Sequence, residues 1–382
     1  MPLRVLHVVD SLAGSGGAEN RMVDEVLALR DTFEQALVRL FERDFLERRL
    51  VEAGIPVHHL GFQARYAART FFLAARRLRT IIRDFRPDVV HTTLVTGNLV
   101  GQLAARPLRI PVVSTMTRTG DQQLRRLHLP SAATLKGRLL DAYGNHVARS
   151  AGVRYRAVSE YARDTNCVSM RFPRERVTVI PRGVALEASP PTTHRRSDFG
   201  LPETGPLFVN VARLVPEKAQ DLLVEAFAQV IPSLPDAHLA IAGDTGPAAP
   251  AVHAAVDDCG VAGRVHLLGF RADVRALVRL ADVFVFSSLS EGFPGAVAEA
   301  MLVGTPVVAF DIPPLLELTD NGRFGRLARA GSAHDLAAAV LAEYRDPNRV
   351  PRAAAAQAHA GIFRIEAVTA RLGELLATAS RA

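Results

Sequence analysis

Residues 283–309 read VFVFSSLSEGFPGAVAEAMLVGTPVVA and carry the clearest structural signal in the chain. The run Val283–Phe286 is wholly apolar, as expected of a strand buried on both faces of a sheet. Ser287–Pro294 is rich in Ser, Gly and Pro and predicts a loop, and a helical pattern begins at Gly295. Pro306–Ala309 is a second short, apolar run. A strand, a crossover helix and another strand in this order predict a right-handed βαβ unit of a parallel sheet.

The same alternation extends over the whole chain. The predicted strands are Val5–Val9, Ala36–Leu40, Val57–Leu60, Asp88–His91, Val112–Thr115, Tyr155–Val158, Val177–Ile180, Leu207–Val211, His238–Ala242, Val265–Leu268, Val283–Phe286, Pro306–Ala309 and Gly325–Leu327. Helical patterns between them include Ala18–Arg30, Phe71–Asp84 and Leu135–Arg149. Because thirteen strands exceed what one open sheet holds, the sequence predicts an α/β protein with two doubly wound, Rossmann-like parallel sheets.

The predicted boundary lies in the stretch Gly183–Gly205, whose segment EASPPTTHRRSD has little apolar periodicity. We expect an N-terminal domain over residues 1–183 and a C-terminal domain over residues 184–360. In the remaining 361–382, an amphipathic helix closes the C-terminal domain or packs back on the N-terminal one. Two such sheets facing each other across a cleft would bind ligands at the carboxyl ends of their strands.

Composition limits the class of protein and its compartment. Of the 382 residues, 48% are hydrophobic, which excludes a disordered chain. Two cysteines, Cys167 and Cys259, are too few for a disulfide framework and suit a reducing compartment. The N-terminus lacks the apolar core of a signal peptide, and no apolar run is long enough to span a membrane. We therefore expect a cytoplasmic protein.

Charge is unevenly distributed along the chain. Residues 1–183 contain 29 Lys and Arg against 17 Asp and Glu, a net charge of +12, whereas the remainder has a net charge of −5. A basic first half suits an anionic acceptor or peripheral contact with a membrane surface, or it is simply a solvated arginine-rich surface. Aromatic residues interleaved with the basic segments and zinc-ligand spacing are both missing, so nucleic acid is not an expected partner.

Two carboxylates, Glu291 and Glu299, lie in a stretch otherwise built of small and apolar residues. A buried carboxylate needs a partner. The helix N-terminus near Gly295, with small residues at Gly292 and Ala296, suits a phosphate, and both glutamates could then accept hydrogen bonds from sugar hydroxyls. The alternative is that Glu299 only complements the helix dipole and that Glu291 is solvated.

Two further strand ends carry polar residues. Leu207–Val211 leads to Arg213 and Lys218, a pair of cations that could neutralise a diphosphate without a metal. Lysine occurs otherwise only at position 136 among 46 basic residues, which favours a need for a compact charge, although chance placement on a surface turn is the alternative. Val265–Leu268 ends at Gly269, Phe270 and Arg271, a loop that could bind a nucleobase.

Taken together, these segments resemble the retaining glycosyltransferases of the GT-B fold, family 4, over nearly the whole chain. The similarity rests on the order of Arg213 and Lys218, GDTGP (243–247), HLLGFRADV (266–274) and SEGFPGAVAEAM followed by GTPVVA. The donor-site signature of that family is two glutamates separated by seven residues, which here are Glu291 and Glu299.

The resemblance implies a role for each residue. Arg213 and Lys218 would bind the donor diphosphate, Glu299 the ribose hydroxyls, and Glu291 the donor sugar near its 3-hydroxyl. Backbone groups of Gly292, Phe293, Pro294, Gly295 and Ala296 would contact the sugar and phosphate. An Asp-x-Asp pair is missing, so neither a metal nor another cofactor is expected.

The first half of the chain resembles the family less closely. Residues 9–26 form a strand, a glycine loop and a helix, with Gly14, Gly16 and Gly17 allowing close backbone approach. The spacing lacks G-x-G-x-x-G, so a dinucleotide site is not indicated. In the family, a matching Gly-Gly-Ala-Glu loop lies near the donor phosphates and the acceptor. PDVVHTT (87–93), AVSEYARD (157–164) and VIPRGV (179–184) also match.

Several positions depart from the family pattern. Thr117 occupies the place where many members have a histidine that contacts the donor sugar, and it cannot carry that charge. His91 and His128 are candidate substitutes, although such a histidine is more often structural or solvated. Arg182 replaces the usual Asn, and Ala219 replaces a Gly often seen after the lysine.

The expected function is retaining transfer of a sugar from a nucleotide-diphosphate sugar, UDP-linked first and GDP-mannose next, to an acceptor hydroxyl. The acceptor would be a glycan, a lipid-linked molecule or a small molecule. The alternatives are a catalytically inactive nucleotide-sugar-binding protein and a sugar-nucleotide epimerase. A periplasmic sugar-binding protein is disfavoured because no signal peptide is evident.

Overall fold

The structure is a computed structural model that describes residues 2–13, 17–42, 44–62, 68–117, 119, 153–185, 194–243 and 245–381. The chain forms two compact units. Unit 1 is Met1–Ala185 with Phe363–Ala382, and unit 2 is Leu186–Ile362. The C-terminal helix therefore belongs to unit 1. The predicted helix at residues 135–149 and His128 lie outside the described residues.

Unit 1 is built on a seven-stranded parallel sheet with strand order β3-β2-β1-β4-β5-β6-β7. Its strands are β1 (Arg4–Val9), β2 (Glu34–Phe41), β3 (Val57–Phe62), β4 (Val89–Thr93), β5 (Val112–Met116), β6 (Val153–Ala157) and β7 (Val177–Val179). Its helices are α1 (Gly17–Ala28), α2 (Glu47–Glu52), α3 (Ala68–Phe85), α4 (Val95–Ala105) and α5 (Glu160–Met170), together with the C-terminal helix Ile365–Ser380.

Helices cover both faces of this sheet. One face packs against α3 and α4 through Leu78, Ile82 and Val100. The other packs against α1 and the C-terminal helix, which contributes Val368, Leu372 and Leu376. Burial on both faces explains why the strands read as continuous apolar runs.

A buried ion pair fixes α1 to the sheet. Glu25 of α1 accepts two hydrogen bonds from the Arg156 guanidinium, both 2.7 Å long, and one of 2.8 Å from Arg182. The Gly183 amide donates a further bond to the same carboxylate at 3.2 Å. The two arginines outweigh the cost of burial and lower the pKa of Glu25 to about 2. Arg182, which stands where the family pattern has Asn, is thus a structural ion-pair partner.

A chain of uncharged side chains continues this polar layer across the sheet. His91 lies 2.9 Å from the Thr115 hydroxyl and 3.1 Å from His7, whose other ring nitrogen lies 2.8 Å from the Gln35 amide oxygen. Gln35 in turn donates to the carbonyl of Val26 in α1. Burial lowers the pKa of His7 to about 4 and holds the pKa of His91 well below its usual value. Both rings are therefore neutral near pH 7.

Unit 2 is built on a six-stranded parallel sheet with strand order β10-β9-β8-β11-β12-β13. Its strands are β8 (Leu207–Val211), β9 (His238–Ala242), β10 (Val265–Gly269), β11 (Val283–Phe286), β12 (Val307–Phe310) and β13 (Arg326–Ala328). Its helices are α6 (Gln220–Val230), α7 (Ala249–Asp258), α8 (Val274–Leu280), α9 (Gly295–Leu302), α10 (Pro313–Leu318), α11 (Ala333–Arg345) and α12 (Arg349–His359), and the C-terminal helix of unit 1 is α13.

The predicted fold class is confirmed, since each unit is a doubly wound parallel sheet. Every predicted strand overlaps an observed one. In both sheets the strand order reverses beside the first strand of the unit, between β1 and β4 and between β8 and β11. Such a reversal opens a crevice at the carboxyl ends of the two strands, where open α/β sheets bind ligands. Within the described ranges, no helix combines the length and apolar character needed to cross a membrane.

Candidate active site

The reversal between β8 and β11 in unit 2 gathers most of the residues singled out from the sequence. The segment after β8 contains Arg213 and Lys218, and the segment after β11 contains Glu291. Parallel strands end at the same edge of a sheet, so these segments become neighbours although they are far apart in the chain.

Lys218 and Glu291 form a direct ion pair. Their side chains are only 18% and 11% exposed, so water screens the pair less than it would at the surface. The Lys218 ammonium also lies 5.3 Å from the centre of the Phe286 ring, a cation–π distance. The site therefore holds one cation and one carboxylate side by side in a partly desolvated setting.

Two glycines let the lysine-bearing turn approach the neighbouring loop. A Cβ atom at Gly243 would lie 1.8 Å from the carbonyl oxygen of Ala212, and one at Gly246 would lie 2.2 Å from that of Leu214. Neither position can accept a larger residue unless the backbone moves. The glycines of the GDTGP segment thus serve close packing between the loops that follow β8 and β9.

Glu299 lies on α9, whose first residue is Gly295. Its carboxylate lies 3.9 Å from the Arg275 guanidinium of α8, and the two side chains are 17% and 24% exposed. Gly292 and Pro294 are buried, whereas Phe293, Gly295 and Ala296 are partly exposed at the beginning of α9. Glu291 and Glu299 therefore both have cationic neighbours, Lys218 and Arg275 respectively.

The other predicted donor-site residues of unit 2 lie on the same edge of the sheet. Arg213 is exposed, and among the described residues its side chain has no hydrogen-bond or ion-pair partner. Phe270 follows β10 directly and is 62% exposed. Arg271 pairs with Asp273 through two hydrogen bonds of 2.8 and 2.7 Å and lies over the Phe199 ring at 4.7 Å. Phe270 is thus more accessible to a planar ligand than Arg271.

The candidate residues of unit 1 are less closely grouped. Gly17 is the first residue of α1, but Gly14 and Gly16 lie outside the described residues. Thr117 follows β5 and is partly exposed. His91 is only 2% exposed in the middle of β4 and is bonded to His7 and Thr115. That placement favours the structural explanation of His91 over a role in positioning a sugar.

Asp10 is a polar residue that the sequence analysis did not single out. It follows β1, at the strand-order reversal of unit 1, and accepts a 2.5 Å hydrogen bond from the Gly97 amide in the first turn of α4. Burial raises the pKa of the Asp10 carboxyl to about 6. Leu94, which precedes α4, has φ of 70° and ψ of 167°, a conformation normally reserved for glycine. The position of Asp10 after a strand was the available signal, but an Asp at a strand end is common in turns.

Among the described residues, no group of three or more His, Cys, Asp or Glu side chains is arranged to hold a metal ion.

Known families match both units. Residues 16–183 match the model of the glycosyl transferase 4-like domain, and residues 205–346 match the model of glycosyl transferases group 1. The two models follow each other along the chain and together cover most of it.

Curated relatives are similar at 26–32% identity. The chain is 32% identical to a 2-deoxystreptamine glucosyltransferase of Streptomyces kanamyceticus over 45% of this chain and 46% of that protein. It is 26% identical to an Escherichia coli UDP-Gal:α-D-GlcNAc-diphosphoundecaprenol α-1,3-galactosyltransferase over 62% of this chain and 60% of the relative. A D-inositol 3-phosphate glycosyltransferase of Thermobispora bispora is 27% identical over 80% and 74%. The first two matches thus span about half to three fifths of those relatives.

Solved structures share the fold over nearly the full length. HepE of Anabaena, in complex with UDP and glucose, has a TM-score of 0.81 at 22% identity, covering 98% of this chain and 100% of that one. WaaG, a glycosyltransferase involved in lipopolysaccharide biosynthesis, has a TM-score of 0.75 at 15% identity, covering 97% and 99%. At such identities these matches show the fold alone, which is GT-B.

Proposed function

Because this chain belongs to the group 1 glycosyltransferases, we propose that it transfers a sugar from a nucleotide-diphosphate sugar to an acceptor hydroxyl with retention at the anomeric carbon. The observation that supports this most strongly is the ion pair between Lys218 and Glu291 at the strand-order reversal of unit 2. A cation for a diphosphate and an acceptor for sugar hydroxyls lie there within contact distance.

Each residue in unit 2 then has a role. Lys218 and Arg213 bind the diphosphate, and the dipole of α9, whose amino end is at Gly295, adds to the positive potential there. Glu291 accepts a hydrogen bond from a hydroxyl of the donor sugar, and Glu299, 3.9 Å from the Arg275 guanidinium, accepts from the ribose. Phe270 offers an exposed aromatic face for the base.

The reaction needs little acid–base chemistry from the protein. The bond between the anomeric carbon and the diphosphate oxygen breaks through an oxocarbenium-like state, and the acceptor oxygen bonds to the same face of that carbon. The acceptor proton passes to a phosphate oxygen of the departing diphosphate. Lys218 and Arg213 stabilise the charge that develops on the leaving group, and each such contact contributes about 3–4 kcal/mol to lowering the barrier. No metal takes part in this scheme.

Relatives suggest where the search for substrates should begin. The name of the Escherichia coli relative specifies a UDP-sugar, which supports a UDP donor ahead of GDP-mannose. The name of the Thermobispora bispora relative specifies D-inositol 3-phosphate, an anionic polyol that suits a basic first half. We place this acceptor class first, with glycan and lipid-linked acceptors after it.

Contact with an anionic membrane surface is a further part of the proposal, and α3 is the element that supports it. Phe72 and Leu73 are 52% and 53% exposed on this helix; Arg76 is exposed one turn away and Arg83 is exposed further along the same helix. Apolar and basic side chains on one exposed helix suit the interface of an anionic bilayer. The protein should sediment with anionic but not zwitterionic vesicles. Replacing Phe72 and Leu73 by Ser should abolish this, whereas Val168→Ser, at an 81% exposed position on α5, should not.

The test of the proposed reaction is product analysis with UDP-glucose, UDP-galactose and GDP-mannose against an acceptor panel that begins with D-inositol 3-phosphate. We expect an α-linked product from an α-linked donor, with activity that survives EDTA. Lys218→Ala should lower kcat roughly a hundred- to a thousandfold. Nucleotide binding without any product would instead indicate an inactive binding protein, and a changed sugar on the recovered nucleotide would indicate an epimerase.

A further inference from the structure

Lys218 lies at the end of a short 3₁₀ turn, Pro216–Lys218, and α6 begins at Gln220. A lysine side chain is long and flexible, so the place of its ammonium depends on how firmly the backbone beneath it is held. The turn itself supplies little rigidity, because the carbonyls at the end of so short a helix lack partners within it.

Three donors from the segment after β11 bind this turn. The Ser287 hydroxyl donates to the Lys218 carbonyl at 2.8 Å, and the Ser288 hydroxyl donates to the Glu217 carbonyl at 3.1 Å. The Leu289 amide donates to the same Glu217 carbonyl at 2.8 Å. Both serines are 0% exposed, so water cannot replace these bonds without opening the structure.

A side chain of α6 holds the beginning of the segment 212–218. The Gln220 side chain is 0% exposed, and its amide donates to the Arg213 carbonyl at 2.9 Å and to the Ala212 carbonyl at 3.3 Å. Residues 212–218 are therefore attached at both ends by buried polar side chains that point away from solvent. The only charged side chain in this segment besides Arg213 and Lys218 is Glu217.

We propose that Ser287, Ser288 and Gln220 are positioning residues of the donor site, which hold the 212–218 turn so that Arg213 and Lys218 are presented together to a diphosphate. The inference rests on the proposed function. The bonds from Ser287, Ser288 and the Leu289 amide also connect the lysine turn to the segment from which Glu291 projects, so they help to set the separation of the two charges.

The test compares Ser287→Ala, Ser288→Ala and Gln220→Met with Thr305→Val. Thr305 is the matched control because its buried hydroxyl also donates to a backbone carbonyl of unit 2, that of Val278, at 2.8 Å, but at the amino end of β12. All four variants lose a buried side-chain donor without gaining a charge, and methionine is close in shape to glutamine. Stability alone should therefore not separate the control from the others.

We expect the serine variants to raise the Kd for UDP and the KM for the donor about five- to tenfold each, with the acceptor KM unchanged. Thr305→Val should leave both donor constants at the wild-type value. Hydrogen exchange of residues 212–219 should become faster in the serine and Gln220 variants and stay unchanged in the control. Equal donor constants and equal exchange in all four variants would overturn the inference.

Hydrogen exchange also separates this inference from the proposed function. If the wild-type protein binds no nucleotide sugar but residues 212–219 exchange faster in the variants, the donor site is refuted and the anchoring of the turn still stands. If the three substitutions leave nucleotide binding and turnover unchanged, the positioning role is refuted and the donor site still stands.

Discussion

At the scale of single residues, the structure gives Glu291 a protein partner. The sequence placed Glu291 and Lys218 in one site by resemblance, but it contained no signal that the two side chains touch, since 73 positions separate them. A diphosphate that binds Lys218 must share the ammonium with Glu291 or displace it. Under the proposed function, the carboxylate would therefore work against nucleotide binding while accepting a hydrogen bond from the sugar.

Because of this competition, one substitution at Glu291 should have opposite effects on UDP binding and on sugar transfer. Glu291→Gln removes a negative charge beside the diphosphate site and frees Lys218, so UDP should bind roughly five- to tenfold more tightly, as expected for one released partly buried ion pair. Sugar transfer should fall, because an amide is a weaker acceptor for a sugar hydroxyl than a carboxylate. Calorimetric titration with UDP and a transfer assay measure the two effects. Weaker UDP binding by Glu291→Gln would contradict the competition.

The backbone conformation of Ala219 is one that glycine adopts more easily, which agrees with the Gly often seen after the lysine in the family. Its φ of 46° and ψ of 48° are left-handed, a conformation that costs a residue with a Cβ about 1 kcal/mol. Ala219→Gly should therefore raise the free energy of unfolding by about 0.5–1 kcal/mol. Urea unfolding measures this free energy. The control is Ala226→Gly in the interior of α6, which should lower the free energy of unfolding by about 1 kcal/mol. Equal destabilisation by both substitutions would count against the strain.

Two residues that sequence reasoning left undecided are buried. His91 was a candidate substitute for the missing histidine and Arg182 was a departure from the family pattern, but the structure places both in the polar layer beneath α1. A sequence shows residue type and spacing, whereas a buried hydrogen-bond chain depends on side chains from four strands and a helix. Such networks could not be predicted without the fold.

At the scale of elements, the strands were the most predictable feature. Buried parallel strands such as β5 and β11 are continuous apolar or β-branched runs between polar segments, and that contrast is local in the sequence. Their ends were less certain: β2 extends beyond the predicted Ala36–Leu40 at both ends, because ladder hydrogen bonds continue after the apolar pattern stops. The order of strands in each sheet is a long-range property that the sequence did not indicate.

The attachment of α1 depends on the Glu25 carboxylate. Glu25→Gln would leave the buried Arg156 and Arg182 without a counter-charge, so unit 1 should lose about 3–5 kcal/mol of unfolding free energy. Glu52→Gln is the control, because Glu52 pairs with Arg48 at the surface, with side chains 61% and 86% exposed. That change should cost less than about 1 kcal/mol. Chemical denaturation, monitored by a signal from unit 1, measures the unfolding free energy of both variants. Similar small losses of unfolding free energy in the two variants would show that the buried ion pair contributes little.

The histidine chain makes unit 1 sensitive to acid. His7 has a pKa of about 4 in the fold, below its unfolded value near 6.5, so the unfolded chain binds a proton that the folded chain does not. Stability should fall as pH decreases from 6.5 to 4, by up to about 1.4 kcal/mol per pH unit for this residue. Asp10 acts in the opposite direction below its pKa of about 6, because its folded form binds the proton more readily.

The comparison of wild type with His7→Gln isolates the histidine. Glutamine does not titrate, so the slope of unfolding free energy against pH between 6.5 and 4.5 should become flatter in the variant. Urea unfolding at pH 7, 6 and 5 provides the slopes. Parallel slopes for the two proteins would show that His7 is not the group that responds.

At the scale of the whole molecule, the two units repeat one architecture with different chemistry at the strand-order reversal. In unit 2 the reversal brings together Lys218 and Glu291, and in unit 1 it brings together Asp10 and the first turn of α4. The alternation of strands and helices predicted both sheets. The family motifs predicted that the site lies at the carboxyl edge of the second sheet, because its charged residues occur in short local segments of the sequence. The first unit has fewer such motifs, and part of its glycine loop lies outside the described residues.

We propose that the carboxyl ends of β8 and β11 form a site for a nucleotide diphosphate, and calorimetric titration with UDP, GDP and ADP is the sharpest test. The wild-type protein should bind at least one of the three. Lys218→Ala should weaken that binding roughly ten- to a hundredfold, as expected for loss of a charged hydrogen bond. Arg323→Ala, which removes an equal charge from a 72% exposed side chain, should leave the affinity unchanged. Unaltered affinity in Lys218→Ala, or no binding of any of the three by the wild type, would contradict the claim.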